Sequence, residues 1–360
     1  MKSPSTMEEY TYTPEAPPAT SVTCSHCGSP HVEHGHASAL CPECRQAFIN
    51  YPIPRWLWIF AGVVAMVLVI NLLKLPASIK LAGHLIRAER AVDEHNFLTA
   101  QHEADSVLTA FPEHFEAHCY HLIASAYNFD YDAYDRSISF LGEKTYIKEG
   151  LVVSCNAATD YLNRHFCEDT LLLAQLDLIT AQPPREQLRF IDSLAGSKQT
   201  HAVLAYCGAR IGSYLLEHEQ LPESRAILEK TLDANPDHYF ASIDYATVLR
   251  KMNELEKADS VCDILLERNH QDSYAMSAKS RVVLRKKQLP AAEELAMEAV
   301  RLDPLSSHAL ASLALVLEAK GQKADSRQLL QAVVKLSAER EDTASAPQLR
   351  RVLDGETVYQ

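Results

Sequence analysis

Four segments of this chain recur at one interval, and an interval of that length limits the fold more than any other feature of the sequence. The units are counted from Ala205, Tyr239, Ser273 and Ser307, each start thirty-four positions after the last. Their eighth positions are Gly212, Ala246, Ser280 and Ala314, and their twentieth are Ser224, Ala258, Ala292 and Ser326. Both columns hold only small side chains, as two helices require where they cross closely enough for their backbones to approach. The eleventh position is aliphatic throughout (Leu215, Leu249, Val283, Leu317). The thirty-second reads Pro236, His270, Pro304 and Ala338, so two of the four units end on a residue that stops a helix. Helical pairs of this size cannot bury their apolar faces singly, and they stack.

The period, the two small columns and the terminal proline together resemble the tetratricopeptide repeat, a helix-turn-helix unit with this same period. The aromatic that family carries at the fourth position is absent (Gly208, Ser242, Met276, Leu310), so these are divergent units. A further copy begins at Leu81, with Ala88, Ala100 and Pro112 at the same three positions and Phe97 at the turn into its second helix, and a looser one begins at Phe115. The offset from Leu81 to Ala205 is three periods plus a remainder of twenty-two, so the middle, roughly 145 to 204, is expected to hold an insertion or atypical helices, with a break at Ala181-Gln182-Pro183-Pro184. The expected fold is therefore an all-α solenoid of about six or seven helical pairs, with divergent repeats over 81–204, four units in register over 205–338 and a polar tail over 339–360.

The resemblance implies a right-handed superhelix whose concave face, lined by the first helix of each unit, holds an extended or helical peptide. Positions two, five, nine, twelve and thirteen are then Phe240, Ile243, Thr247, Arg250 and Lys251 in one unit and Tyr274, Ser277, Arg281, Leu284 and Arg285 in the next. Arg250, Lys251, Arg281 and Arg285, with Phe240 and Tyr274, are the candidate partner-binding residues, a basic patch able to pair with a carboxylate. The plainer reading is a solvated helix face. The lysine and asparagine clamp that some members use for a terminal carboxylate is not reproduced.

The amino-terminal part has a different character. Residues 1–23 hold four prolines and many Ser and Thr without apolar periodicity and read as a flexible tail. Then Cys24-Ser25-His26-Cys27-Gly28 is followed, after thirteen intervening positions, by Cys41-Pro42-Glu43-Cys44. Two residues between paired cysteines let both thiolates turn to one point, and two such turns facing each other make a closed tetrahedral site that suits a structural zinc ion. Cys24, Cys27, Cys41 and Cys44 are the predicted ligands; His26, His31, His34 and His36 lie inside or beside the segment and could replace a thiolate, the plainer reading being solvated loop residues. The segment 24–47 resembles the small zinc-ribbon module at the amino ends of many prokaryotic membrane proteins, and 48–55 is a proline-containing linker.

From Trp56 to Leu73 the chain is apolar with Asn71 as its one polar side chain, about 27 Å of helix against the roughly 30 Å of a bilayer core. Tyr51, Trp56 and Trp58 supply an interfacial belt and Pro76 closes the far end, so 56–75 reads as a single permanent membrane span surrounded by lipid. Two arguments oppose each other on sidedness. Lys74, Lys80, Arg87 and Arg90 after the span favour a cytoplasmic carboxyl-terminal side; reduced zinc thiolates, and the difficulty of exporting a folded tail, favour a cytoplasmic ribbon with the repeats outside. The second is adopted as the expectation. The five scattered cysteines, Cys119, Cys155, Cys167, Cys207 and Cys262, read as packed thiols.

Lys plus Arg at 34 against Asp plus Glu at 47 leaves a net charge of -13, and Arg45 is the only Lys or Arg in the ribbon, so nucleic acid is not an expected partner. No Gly-rich phosphate loop, GxSxG elbow or HExxH helix is present. Asp160, His165, Cys167, Glu168 and Asp169 crowd the irregular middle, but a spacing of two on a helix points His165 and Cys167 to different faces. The reading is a membrane-anchored interaction scaffold and not an enzyme. The alternatives are a zinc- or redox-sensing transmembrane component and, behind it, an enzyme with a site in 145–204.

Overall fold

The computed structural model describes residues 22–49, 54–142, 149–167, 169–195 and 201–339, which hold sixteen helices and no strand. The expected tails over 1–23 and 339–360 fall almost wholly outside the described residues, as do part of the linker and Glu168. The chain divides into two units, Met1–Pro76 and Ala77–Gln360.

In the first unit two arms lie side by side: the amide of Ser25 donates to the Ala39 carbonyl at 2.9 Å and that of Glu33 to Leu40 at 3.1 Å. The second arm enters helix α1 (Pro42–Ile49). Helix α2 (Arg55–Asp93) opens with the apolar run, whose side chains lie bare, and the one polar group there is satisfied locally, Asn71 donating to the Val67 carbonyl at 2.8 Å. One helix is thus apolar enough to cross a membrane.

In the second unit the periodicity becomes geometry. Helices α11 (Tyr239–Lys251), α13 (Ser273–Arg285) and α15 (Ser307–Ala319) begin one period apart, and so do α12 (Leu255–Arg268), α14 (Leu289–Leu302) and α16 (Lys323–Glu339). Each first helix starts on a side chain that accepts backbone N–H groups its first turn leaves orphaned: His238, Asp272 and Ser306. Each preceding second helix ends where Asn235, Asn269 or Asp303 takes the amide two residues on, at 3.1–3.2 Å. Within the unit the turn is made by a left-handed residue, Glu219, Asn253, Lys287 or Gly321, always the fifteenth. His95 and Phe129 have the same conformation, and they are the fifteenth residues counted from Leu81 and Phe115. The two early copies therefore share the register of the later ones, with α3 (Phe97–Ala110) following the first turn and α4 (Phe115–Asn128) and α5 (Tyr131–Gly142) flanking the second.

The small columns are where the helices of a pair meet. In the pair formed by α9 (His201–Glu217) and α10 (Leu221–Ala234), Ser224 Oγ donates to the Gly212 carbonyl at 2.8 Å, and in the pair of α13 and α14 Ser280 Oγ donates to that of Ala292 at 2.7 Å. The middle is arranged differently from the flanking units. Helix α6 (Glu149–Asn163) packs on α4, where the first helix of a next unit belongs, while α7 (Thr170–Thr180) and α8 (Pro184–Ala195) form a hairpin across the predicted break. The buried Gln187 side chain holds that break, donating to the carbonyls of Thr180 and Gln182 at 2.9 Å each.

The early repeats also fold against the later ones. The amide of His270 donates to the His95 carbonyl at 3.0 Å, His95 Nδ1 donates to the Glu267 carbonyl at 2.9 Å, and Gln271 exchanges hydrogen bonds with Thr99 at 2.8 and 2.9 Å. Nearby, the amide of Tyr239 donates to His165 Nε2 at 2.9 Å.

Candidate functional site

Helices α9 and α11 and the turns after α4 and α6 enclose a cavity of about 670 Å³. Helix α9 contributes Tyr206, Ala209, Arg210, Ser213, Leu216 and Glu217, and α11 contributes Phe240, Ile243 and Asp244. The opposite wall is aromatic: Phe129 lies 4.7 Å from the Tyr239 ring and 5.0 Å from that of Phe240, and Phe166 meets Tyr131 edge-on at 5.0 Å. Offset and edge-on rings at these distances make a stiff apolar wall.

Two histidines stand behind it. His165 donates from Nδ1 to the Tyr161 carbonyl at 2.8 Å and accepts the Tyr239 amide on Nε2, so both nitrogens are taken by backbone. His165 and Cys167 lie beyond the end of α6 and not on a helix as expected; with no free nitrogen, His165 is not placed to act as a base. Burial holds its pKa below the ordinary value, and burial together with the neighbouring His165 ring, 4.8 Å away, brings His238 down to about 3. On the cavity floor Ser213 donates to the Asp244 carboxylate. Burial, with the charge of Glu217 behind it, pushes that carboxyl up to about 6.

Of the candidate partner-binding residues, the structure brings Phe240 and Tyr274 to this cavity and leaves the four cations outside its lining. Arg250 is 5% exposed, Lys251 pairs with Glu219 at 2.6 Å, and Arg281 spans to the next unit, donating to Ser312 Oγ at 2.8 Å and to the His308 carbonyl at 3.2 Å. Arg285 is exposed near the end of α13. The positions themselves are informative: in the unit starting at Ala205 they are Tyr206, Ala209, Ser213, Leu216 and Glu217, and all five line the cavity. The same rule applied to the next two units gives the candidate residues named from the sequence, of which Phe240 and Tyr274 also line the cavity.

The four amino-terminal cysteines converge. Their sulfurs all lie within 4.8 Å of one another, with Cys27 and Cys41 3.6 Å apart. Tetrahedral zinc with Zn–S bonds of about 2.3 Å requires S···S separations of roughly 3.8 Å, so the set fits a closed zinc site. Cys24 and Cys41 are each 3% exposed. The first turn closes through the Gly28 amide on the Cys24 carbonyl at 2.9 Å, with Gly28 at φ +75° where a side chain would be strained. Backbone N–H groups of Cys27 and Cys41 hold the Cys24 thiol down to about 6, while the neighbouring thiols push Cys44 up. Cys44 lies in the first turn of α1, so the second half of the site opens a helix. His26 sits beside it, Nδ1 3.5 Å from Cys44 Sγ, and Arg45 pairs with Glu33 at 2.7 Å.

Family models described as tetratricopeptide repeat match residues 215–282 and 277–341, about a third of the chain. No curated protein matches. Similar solved structures include MamA 41-end from Desulfovibrio magneticus RS-1 (19% identity, 49% of this chain and 98% of that one, TM-score 0.37). Others are YrrB, a TPR protein with an unusual peptide-binding site (16%, 47% and 92%, 0.30), and the TPR2AB-domain:pHSP90 complex of yeast Sti1 (13%, 77% and 98%, 0.27). From residue 215 to residue 341, then, the chain is built of tetratricopeptide repeats.

Proposed function

We propose that this protein is a membrane-anchored interaction scaffold whose repeat array holds a peptide or protein partner. The observation that carries the reading is the cavity between α9 and α11, lined by first-helix positions two, five, nine, twelve and thirteen of a single unit, with Phe240 and Tyr274 from the next two. A concave surface that combines aromatic anchors with charged groups suits a partner's side chains. In this reading 56–75 is the span, the Cys24, Cys27, Cys41 and Cys44 set holds a structural zinc ion, the amino-terminal module is cytoplasmic and the repeats lie outside. The exposed apolar run at the start of α2 supports the anchor. Arg250, Lys251, Arg281 and Arg285 belong to the same proposal as a second contact region along the array.

Photocrosslinking tests it. With p-benzoylphenylalanine at position 240, in cells producing the full chain, discrete adducts are expected that are absent with the same group at the exposed Ile264. Adducts from neither position, or equally from both, would count against a groove-held partner. Zinc or redox sensing across the membrane is a second reading; the closed four-sulfur set favours a structural ion over a switch. An enzyme in 145–204 has less support, because His165 has both nitrogens committed.

A further inference from the structure

The cavity has a charge pattern of its own. Along α9, Arg210, Ser213 and Glu217 follow at spacings of three and four and so share one face, with Arg210 and Glu217 separated by about 10 Å of helix. Asp244 faces them from α11 and takes the Ser213 hydroxyl. Glu219, two residues beyond Glu217, is neutralised by Lys251. Glu217 and Asp244 have no cationic partner among the described residues, although Asp244 is half-buried. A carboxylate held there with a single hydroxyl donor is short of countercharge. Phe129, Tyr206 and Phe240 line the same cavity, and aromatic rings can attract a cation and cover the methylenes of a long side chain.

We propose, resting on the scaffold reading above, that this cavity receives a lysine or arginine side chain of an extended peptide, its cationic head between Asp244 and Glu217 and its stem along Tyr206 and Phe240. The partner's recognition segment is therefore basic. Arg210, at the other end of the same face, offers donors to the peptide's carbonyl oxygens. An acidic segment would meet two carboxylates for one guanidinium, which disfavours it. The burial that pushes Asp244 up to about 6 is reversed by an incoming cation, so binding of a basic peptide is coupled to loss of a proton from Asp244 at mildly acid pH.

The test is selection of a phage-displayed random dodecapeptide library on the full chain in nanodiscs, followed by affinity measurement on the recovered peptides. Recovered peptides enriched in Lys or Arg, binding at least tenfold more weakly to Asp244→Asn and to Glu217→Gln, are the expected result. Asn keeps the shape of the half-buried group and Glu217 is exposed, so both variants should fold. Peptides recovered without basic enrichment, or unaffected by both substitutions, overturn the cation assignment but leave a peptide groove standing. If no peptide is recovered, both the assignment and the groove reading fall.

Discussion

The Tyr239 amide reaches His165 Nε2 at 2.9 Å across 74 positions of sequence, joining the end of α6 to the first residue of α11. Because Nε2 accepts, His165 must be neutral, and the His238 ring beside it is kept neutral by burial and by that proximity. Two uncharged imidazoles thus sit where the early repeats meet the later ones, next to the cavity wall formed by Phe129 and Phe240.

A pH dependence follows. Both histidines have folded-state pKa values below the ordinary 6.5, His238 at about 3, so between those values the unfolded chain binds more protons than the folded one. The stability this gives is complete above about pH 6.5 and declines as pH falls below it; for His238 alone, pH 5 costs about 2 kcal/mol. Thermal melts of the full chain in detergent should lose stability between pH 7 and 5, less what Asp244, pushed up to about 6, returns by taking up a proton in the folded state. His238→Asn, which preserves the cap on Ala241, should flatten that dependence; an unchanged slope would place the titrating groups elsewhere.

The close approach of α9 and α10 predicts a paired effect. A Cβ on Gly212 would lie 2.5 Å from Leu228 Cδ2 and 2.7 Å from its Cγ. Gly212→Ala should destabilise by about 1–3 kcal/mol through overpacking. In the next unit Ala246 is accommodated at the same position because Cys262, not leucine, stands at the equivalent of Leu228. Adding Leu228→Ala to Gly212→Ala should therefore cost less than the sum of the two single changes, and denaturant titration of the four proteins measures the coupling.

That size compensation also shows what the sequence displayed and what it concealed. Period and small columns were visible because each is a local demand repeated four times, and the helix starts at Tyr239, Ser273 and Ser307 coincide with the units counted from the sequence alone. The missing aromatic at position four has a partner-dependent cause: a Cβ on Gly208 would lie 2.0 Å from Thr231 Oγ1, so what fits there is set by the facing helix. The turns were concealed because glycine makes only one of them. His95, Phe129, Glu219, Asn253 and Lys287 take the left-handed conformation under the constraint of the flanking helices. The contacts of His95 and Thr99 with residues 267–271 were concealed for another reason: they run largely through backbone and single polar side chains and leave no periodic trace. A position rule identifies a helix face, but not the contacts made across it, such as the bond from Arg281 to Ser312 in the next unit.

Asp272 offers a test of the joint between units. One carboxylate oxygen accepts the amides of Tyr274 and Ala275, both at 2.9 Å, and the Tyr239 hydroxyl at 3.1 Å. Asp272→Ala removes the cap of α13 and strands a buried phenol, a combined loss of about 2–4 kcal/mol. Asp272→Asn should lose less, since asparagine caps nearly as well. Tyr239→Phe placed in the Asp272→Ala background should recover about 1 kcal/mol by removing the stranded hydroxyl, and chemical denaturation measures each value; no recovery would mean that the phenol finds another acceptor.

The four-cysteine cluster makes the last prediction, which separates a structural ion from one on which the array depends. The sulfurs lie within 4.8 Å of one another in the unit Met1–Pro76, and the bonds that shape the cluster, such as Ser25 to Ala39 and Arg45 to Glu33, stay within that unit. Elemental analysis of the full chain purified without chelator should give about one zinc per chain, and Cys41→Ser, which removes one of the two most buried thiols, should bring it close to zero. Zinc binding is folding free energy for a module this small, so metal removal should expose residues 24–49 to protease. The repeat array, whose cores begin with Ala88 and Ala91 in the last turns of α2, should keep its melting temperature within about 1 °C by far-UV circular dichroism. A chain that binds no zinc while retaining four reduced thiols would remove the metal from this description, and a repeat array that melts early when the ion is stripped would make the amino-terminal module a partner in its stability.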